Sequence, residues 1–469
     1  MAARITAYVV AFIVSVTFIA GLIVGAQRDD DGPVDLIVVN GSVYTADGEN
    51  PRAEAVAVQG NKILLVGSNR EVQRLRRPQT VVVDAKGGTV LPGFNDASVD
   101  FLESSLQLLQ VNLIDADTTL ALESAIRAWA AANPDRPWVL GHGWTLDAFD
   151  DGGPTRQRLD SLVPDRPAFL LSRDGETAWV NSAALEAAKI TRRTLNPEHG
   201  VIVKDARTGE PAGILKDAAI DMIEQVLPSP SREERLAAVR AAIDEAHRRG
   251  VTSVQDISAE IEDLELYDSL RRNQELDVRV YAAVRGRSDM TAAELDALDN
   301  VRKKYGDDPV FKTGAITLVA DEGSAEVLRA IVSELDQRGW QVIVRAIGET
   351  AVRLAKDAVE YASSSGAVDR ERRHRVEASA DALELPRVEL AVTDRGTLAQ
   401  TVDAYTKEAA WASFDEHRKG SLERDMLADL VILTTDIFAV PSGRAAEADV
   451  AATIFDGRVV YTRPSDSNE

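Results

Sequence analysis

Cysteine is absent from this 469-residue chain, which excludes disulfides, thiolate nucleophiles and cysteine-held metal sites. Histidine is scarce, with His142, His199, His247, His374 and His417 the whole complement. Positive charge is in deficit: 53 Lys+Arg stand against 76 Asp+Glu, a formal charge of −23. A general nucleic-acid binder needs a basic face for phosphate contacts, so nucleic acid is not an expected partner. No Gly-x-Ser-x-Gly elbow, phosphate loop or dinucleotide Gly-x-Gly-x-x-Gly occurs, which removes the nucleophile and nucleotide folds those motifs mark. What remains is ordinary globular composition, 45% hydrophobic and 28% charged. The length suits two or three domains, or one α/β barrel with an accessory sheet.

One long apolar run is present. Residues 5–26 are 22 residues broken only by Thr6, Ser15, Thr17 and small side chains. A helix rising about 1.5 Å per residue would span a hydrocarbon core of roughly 30 Å. Arg4 precedes the run, and Arg28 and the acidic residues Asp29, Asp30 and Asp31 follow it. The positive-inside rule then predicts a single-pass inner-membrane anchor, with a cytoplasmic amino terminus and a periplasmic or extracellular body. A cleaved signal peptide is the competing reading, since Val24-Gly25-Ala26 resembles a cleavage site, but signal h-regions usually run only about 7–15 residues. Gly21 and Gly25 form a GxxxG pair, a weak pointer to helix pairing in the membrane.

Beyond an acidic linker the chain reads as short strands: Asp35-Leu-Ile-Val-Val-Asn-Gly41, Ser42-Val-Tyr-Thr45, and a hairpin turning at Gly60-Asn61. The carboxyl end has the same texture, in 428–434 and 450–461. Two β-rich ends predict a composite β-sandwich, residues 32–90 with 420–469, after an anchor and linker at 1–31. Between them, helical patterns at 231–249, 325–338 and 351–363 alternate with β-branched runs at 251–256, 278–284, 310–319 and 341–345. Such alternation argues for parallel βαβ units, hence a doubly wound sheet or a (β/α) barrel over residues 91–419. The stretch from about 102 to 250, with several helices and few strands, reads as a lid inserted into it.

Several segments then resemble the amidohydrolase superfamily. They are Gly88-Thr-Val-Leu-Pro-Gly-Phe-Asn-Asp-Ala97, Ser172-Arg-Asp-Gly-Glu-Thr-Ala-Trp-Val-Asn-Ser182, Gly250-Val-Thr-Ser-Val-Gln-Asp256, Val344-Arg-Ala-Ile-Gly-Glu349, Arg373-His-Arg-Val-Glu377 and Lys419-Gly-Ser-Leu-Glu-Arg-Asp-Met-Leu-Ala-Asp-Leu-Val431. The nearest branch is the family-3 type, which includes N-substituted formamide deformylases. The resemblance covers about residues 34–462 and implies a metal-bearing TIM-type (β/α) barrel with a composite β-sandwich. It also implies hydrolysis of non-peptide C–N bonds, with one or two divalent metals lowering the pKa of bound water.

Against that pattern the ligands are missing. Where the family carries His-x-His on strand 1, this chain has Ser98-Val99-Asp100. The strand 5 histidine is Arg345, and the one after Glu377 on strand 6 is Ala378. The lid motif Asp-Gly-His reads Asp174-Gly175-Glu176. These five residues, Ser98, Asp100, Glu176, Arg345 and Ala378, define a vestigial pocket. Since the family ligands of strands 1 and 5 share one metal, Asp100 and Arg345 are expected to form an ion pair where that metal stood. None of the five histidines replaces a ligand by register; His374 reads as a packed or hydrogen-bonded core residue.

Three matches remain as weak catalytic candidates. Lys312 falls where the resemblance places a carbamylatable lysine, although a barrel lysine is also an ordinary salt-bridge partner. Glu377 matches a family glutamate, and Asp381 in Ser379-Ala380-Asp381 is a candidate general base. The motifs of strands 6 and 8 lie adjacent here, so strand 7 reads as deleted and the barrel as truncated by one strand. A closed barrel needs consistent strand number and shear, so it should be left open, seven-stranded or repaired by irregular chain.

The leading expectation is a membrane-anchored pseudoenzyme with no cofactor, acting as a binding or accessory subunit of a membrane complex held by the amino-terminal helix. The alternative is an active hydrolase, with Zn or a similar divalent metal, on a rewired carboxylate site of Asp100, Glu176, Lys312, Glu377 and Asp381. A solute-binding protein that keeps a small-molecule pocket under the lid is the third reading.

Overall fold

The computed structural model describes residues 33–149, 153–320, 325–365, 371–378 and 397–464. The apolar run at 5–26 and Asp381 lie outside these residues. Among the described residues no helix is long and apolar enough to cross a membrane.

Alternating side chains give each sandwich sheet a buried face. One sheet is four-stranded, in the order Lys62–Gly67, Ala55–Gln59, Leu36–Val39, Val81–Asp84. The other is six-stranded, in the order Arg458–Thr462, Val450–Phe455, Leu430–Leu433, Thr89–Pro92, Ser42–Tyr44, Arg52–Ala53. Strands from both chain ends therefore share one sheet: Leu430–Leu433 runs antiparallel to Thr89–Pro92, with Val431 opposite Leu91. Val38, Val56, Val43, Val90, Leu430, Ile432 and Ile454 are buried together as its core.

The central body is mixed α/β around a curled parallel sheet. Its six strands run in sequence order across the sheet: β1 (Phe94–Val99), β2 (Val251–Ala259), β3 (Arg279–Arg285), β4 (Phe311–Ala320), β5 (Gln341–Ala346) and β6 (Arg375–Glu377). All nine residues of β2 are buried, as expected of a parallel strand covered on both faces. Helices cover the outside. Ser231 and Glu234 form a capping box that starts the helix Arg232–Arg248. Its buried Ala238, Ala242 and Ala246, spaced four apart, give it one flat apolar stripe. The small inner core comprises Ile257, Tyr281, Ala283, Ala315 and Ile343.

The parallel sheet of the described residues has six strands, in keeping with the open form among the outcomes expected of a shortened barrel. Its end strands β1 and β6 have no backbone pairing with one another there. One expectation needs correction: the inserted region is far more β-rich than its sequence suggested. It holds a six-stranded sheet, in the order Gly200–Lys204, Pro211–Asp217, Thr177–Val180, Ala168–Ser172, Val139–Trp144, Val111–Asn112. These strands are short and gain their pairing from distant partners, as when Val139 meets Ala168, so local periodicity shows little of them. Trp144, Phe149 and Trp179 meet edge to face in its core.

Candidate functional site

In barrels of this kind, ligand chemistry sits at the carboxyl ends of the strands. Here those ends gather Asp96, Ser98 and Asp100 from β1 and its exit, Asp256 from β2, Arg345 from β5, and Arg375 and Glu377 from β6. Arg345 Nη1 lies 3.5 Å from Asp100 Oδ2, so the two residues expected to meet do meet. The contact is long and single. The Arg345 side chain is 22% exposed and that of Asp100 is 5% exposed. Asp100 Oδ1 is buried and has no hydrogen-bond partner among the described residues.

Ser98 Oγ donates to Glu377 Oε2 at 2.8 Å. Arg375 donates to the carbonyl of Ala97 at 2.5 Å and to Gln255 Oε1 at 2.6 Å, and it pairs with Glu377. Asp96 accepts the Ser98 N–H at 3.0 Å. Its carboxyl is pushed up to about 6, chiefly by burial and further by the Glu377 charge, against the pull of that N–H and of Arg375. Asp256 is fully enclosed and is also pushed up to about 6, burial outweighing its bonds to the Tyr267 hydroxyl (2.6 Å) and to backbone N–H groups. The neighbouring Asp100 charge adds to that rise.

The remaining candidates do not join this cluster. Lys312 is the second residue of β4, at the opposite end of the strand. The eight steps to Ala320, at about 3.3 Å per residue, put it roughly 26 Å from the carboxyl end. Its ammonium donates to Asp415 at 2.6 Å in a buried network beneath the sheet, the salt-bridge role open to a barrel lysine. Glu176 is exposed on a turn of the insertion. Its backbone N–H bonds to Asp174, while its side chain has no hydrogen bond or ion pair among the described residues. Ala378 is exposed and offers no polar group. His374 accepts the Val342 N–H at 3.0 Å and meets Asp336 at 3.2 Å, a hydrogen-bonded core role.

Sequence reasoning passed over Asp96, Asp256, Gln255 and Arg375. A signal existed for the first, because Asp96, Ser98 and Asp100 fall at alternate positions of one strand. Asp256 and Gln255 carried none, since every residue around them in β2 is buried alike.

The donor set bears directly on the metal that the resemblance implies. Asp100 has Asp256 as a carboxylate neighbour, and its Oδ2 faces the Arg345 guanidinium. Among the described residues no group of three His, Asp or Glu side chains could hold a metal ion. A fixed cation, a hydroxyl and a methyl group stand where anionic or imidazole donors are needed. These residues do not fit a divalent ion.

The family model for the amidohydrolase family matches residues 81–389 and 387–461. Protein LONG AFTER FAR-RED 3 of Arabidopsis thaliana is 27% identical over 374 residues, covering 73% of this chain and 64% of that protein. The putative amidohydrolase YtcJ of Bacillus subtilis (strain 168) is 29% identical over 346 residues, covering 68% of this chain and 65% of that protein. The N-substituted formamide deformylase of Arthrobacter pascens is 30% identical over 243 residues, covering 50% and 44%. The matches thus span less than two thirds of these relatives' lengths. Among solved structures, an uncharacterized metal-dependent hydrolase from Pyrococcus furiosus superimposes with a TM-score of 0.63 at 20% identity, covering 86% of this chain and 99% of that one.

Proposed function

We propose that this chain, which belongs to the amidohydrolase family, uses the family's scaffold for binding and no longer for hydrolysis. The observation that carries this reading is the Asp100–Arg345 pair at the corner of strands 1 and 5. A guanidinium cannot coordinate a cation, and at this position it repels one. Without a metal, water near neutral pH lacks the activation that the family's chemistry uses. The strand-end cluster is then a polar recognition surface, suited to a small molecule that accepts hydrogen bonds from Ser98 and Arg345 and donates one to Glu377. The amino-terminal run supplies the second half of the proposal: an inner-membrane tether that holds the body outside the cytoplasm, beside a membrane complex it serves as an accessory subunit.

The second reading is a hydrolase with a carboxylate site, and Asp96 favours it. This carboxyl, raised to about 6 and close to Glu377, has the poise of a general acid or base. Of the site expected from sequence, Asp100, Glu176, Lys312, Glu377 and Asp381, the strand-end carboxylates Asp100 and Glu377 support this reading, and the Lys312–Asp415 pair speaks against it.

Elemental analysis of the purified full-length protein separates the two. The binding reading expects Zn, Mn and Fe each well below one equivalent, even after incubation with the metals. Stoichiometric metal that is released by Ser98→Ala or Asp100→Asn would overturn it.

A further inference from the structure

We propose that the seam between β1 and β6 is a latch, made of side chains and able to part without unfolding the sheet, and that Arg375 is its keystone. Within the described residues the parallel sheet ends at these two strands, yet four side-chain ties cross between its first and last strands or their neighbours. Arg375 reaches from β6 to the Ala97 carbonyl on β1 at 2.5 Å and to Gln255 on β2 at 2.6 Å. Ser98 on β1 reaches Glu377 on β6 at 2.8 Å. Arg345 on β5 meets Asp100 just past β1 at 3.5 Å.

The backbone contribution on the β6 side is small. β6 has three residues, none fully buried, and among the described residues its backbone pairs only with Ile343, Val344 and Arg345 of β5. So short a strand adds few ladder bonds, and its position leans on Arg375 and its partners. Gln255 in turn is held by the carbonyl of Ala409 at 2.7 Å, on the helical segment that flanks the seam.

Outside the seam lies an open groove of about 710 Å³, lined by Ala97, Arg375, Ala404, Ala409, Trp411 and neighbouring charged residues. Arg375 therefore has the strand-end cluster on one side and this groove on the other. When the latch parts, the strand-end site opens sideways onto the groove, a lateral entrance separate from the mouth. The device does not depend on whether the site binds or hydrolyses its ligand.

Hydrogen exchange on the full-length protein tests it. In Arg375→Met the amides of 375–377 are expected to exchange at least tenfold faster, with β3 and β4 unchanged. Arg375→Lys should restore little, because one ammonium cannot serve both the Ala97 carbonyl and Gln255. Arg285→Met is the control at the end of β3 and should leave 375–377 unaffected. Should Arg375→Met fail to fold, the absence of cysteine in the chain allows a second test. In Ser98→Cys/Glu377→Cys, a short bifunctional thiol reagent should bridge the two positions and slow exchange at 375–377 relative to the unbridged protein. Failure to bridge, equal exchange in bridged and unbridged forms, or acceleration spread evenly over β1–β6 in Arg375→Met would each overturn the latch.

Discussion

Replacing Arg345 by Met measures what the guanidinium does at the strand ends. The substitution keeps much of the apolar stem and removes the charge. Breaking a fully buried ion pair costs about 3–5 kcal/mol, mostly because the partner is left charged and unpaired. Exposed pairs are worth about 0.2–1 kcal/mol. This pair lies between the limits: Asp100 is buried, Arg345 is 22% exposed, and the contact is a single one at 3.5 Å. A loss of about 2 kcal/mol is expected at pH 7.5. Asp100→Asn leaves the more exposed partner unpaired and should cost only about 1 kcal/mol. The double variant should lose about 1 kcal/mol, not the sum of about 3, because nothing charged is then left buried. The assay is urea unfolding of the four proteins at pH 7.5. A coupling below about 0.5 kcal/mol would refute the claim that Arg345 compensates a buried carboxylate.

Two further outcomes follow from buried charge. Asp256 and Asp96 are each raised to about 6 from an ordinary 3.8, so between those pH values the native state holds more protons than the unfolded one. Their contribution to stability is present below about pH 4 and lost as pH rises through about 6; at roughly 1.4 kcal/mol per unit, the buried Asp256 alone accounts for up to about 3 kcal/mol. Asp256→Asn should flatten the urea midpoint across that window, and an unchanged slope would count against it. At the other end of the sheet, Arg279 is 3% exposed and bonds Asp429 at 2.5 and 2.8 Å, Asp456 at 2.8 Å and the Pro309 carbonyl at 3.0 Å. Arg279→Met should cost about 3–5 kcal/mol, and a loss under about 1 kcal/mol would show that the network relaxes around the gap.

Much of the architecture was legible because it rests on periodicity. The alternation of strands and helices from Val251 to Ala346 is local and regular, and the parallel sheet follows it. The shared sandwich was legible from texture alone, since strands such as Leu430–Leu433 and Thr89–Pro92 need a partner to cover one face. The insertion was not legible, because Ala168–Ser172 and Thr177–Val180 are too short to show a period, and beyond their own hairpin each pairs with a strand far off in sequence. At the site, the approach of Asp100 and Arg345 could be read from the resemblance, since it needed only two strand ends. For Lys312 the choice between its two readings stayed open, because a strand's sequence does not say which of its ends a residue occupies. Arg375 escaped notice because its role is to cross between strands that nothing in the linear sequence places side by side.

The two ends of the sheet behave differently, and the difference lies in how tightly each end pairs its buried charges. Beneath the sheet, Lys312, Lys419 and Arg279 face Asp415, Asp429 and Asp456, three cations against three carboxylates. Lys419 is wholly enclosed and pushed down to about 8 by burial, yet its ammonium still donates to Ser253 at 2.6 Å. Asp429 and Asp456 flank sandwich strands and Arg279 begins β3, so this network docks one domain on the other, and the amino-terminal face of a barrel is where stability resides. At the carboxyl ends the pairing is looser: a 3.5 Å contact, an unpartnered Asp100 oxygen, and two carboxyls raised to about 6. Substitution there perturbs a region roughly 26 Å, at about 3.3 Å per residue, from the contacts that hold the domains together.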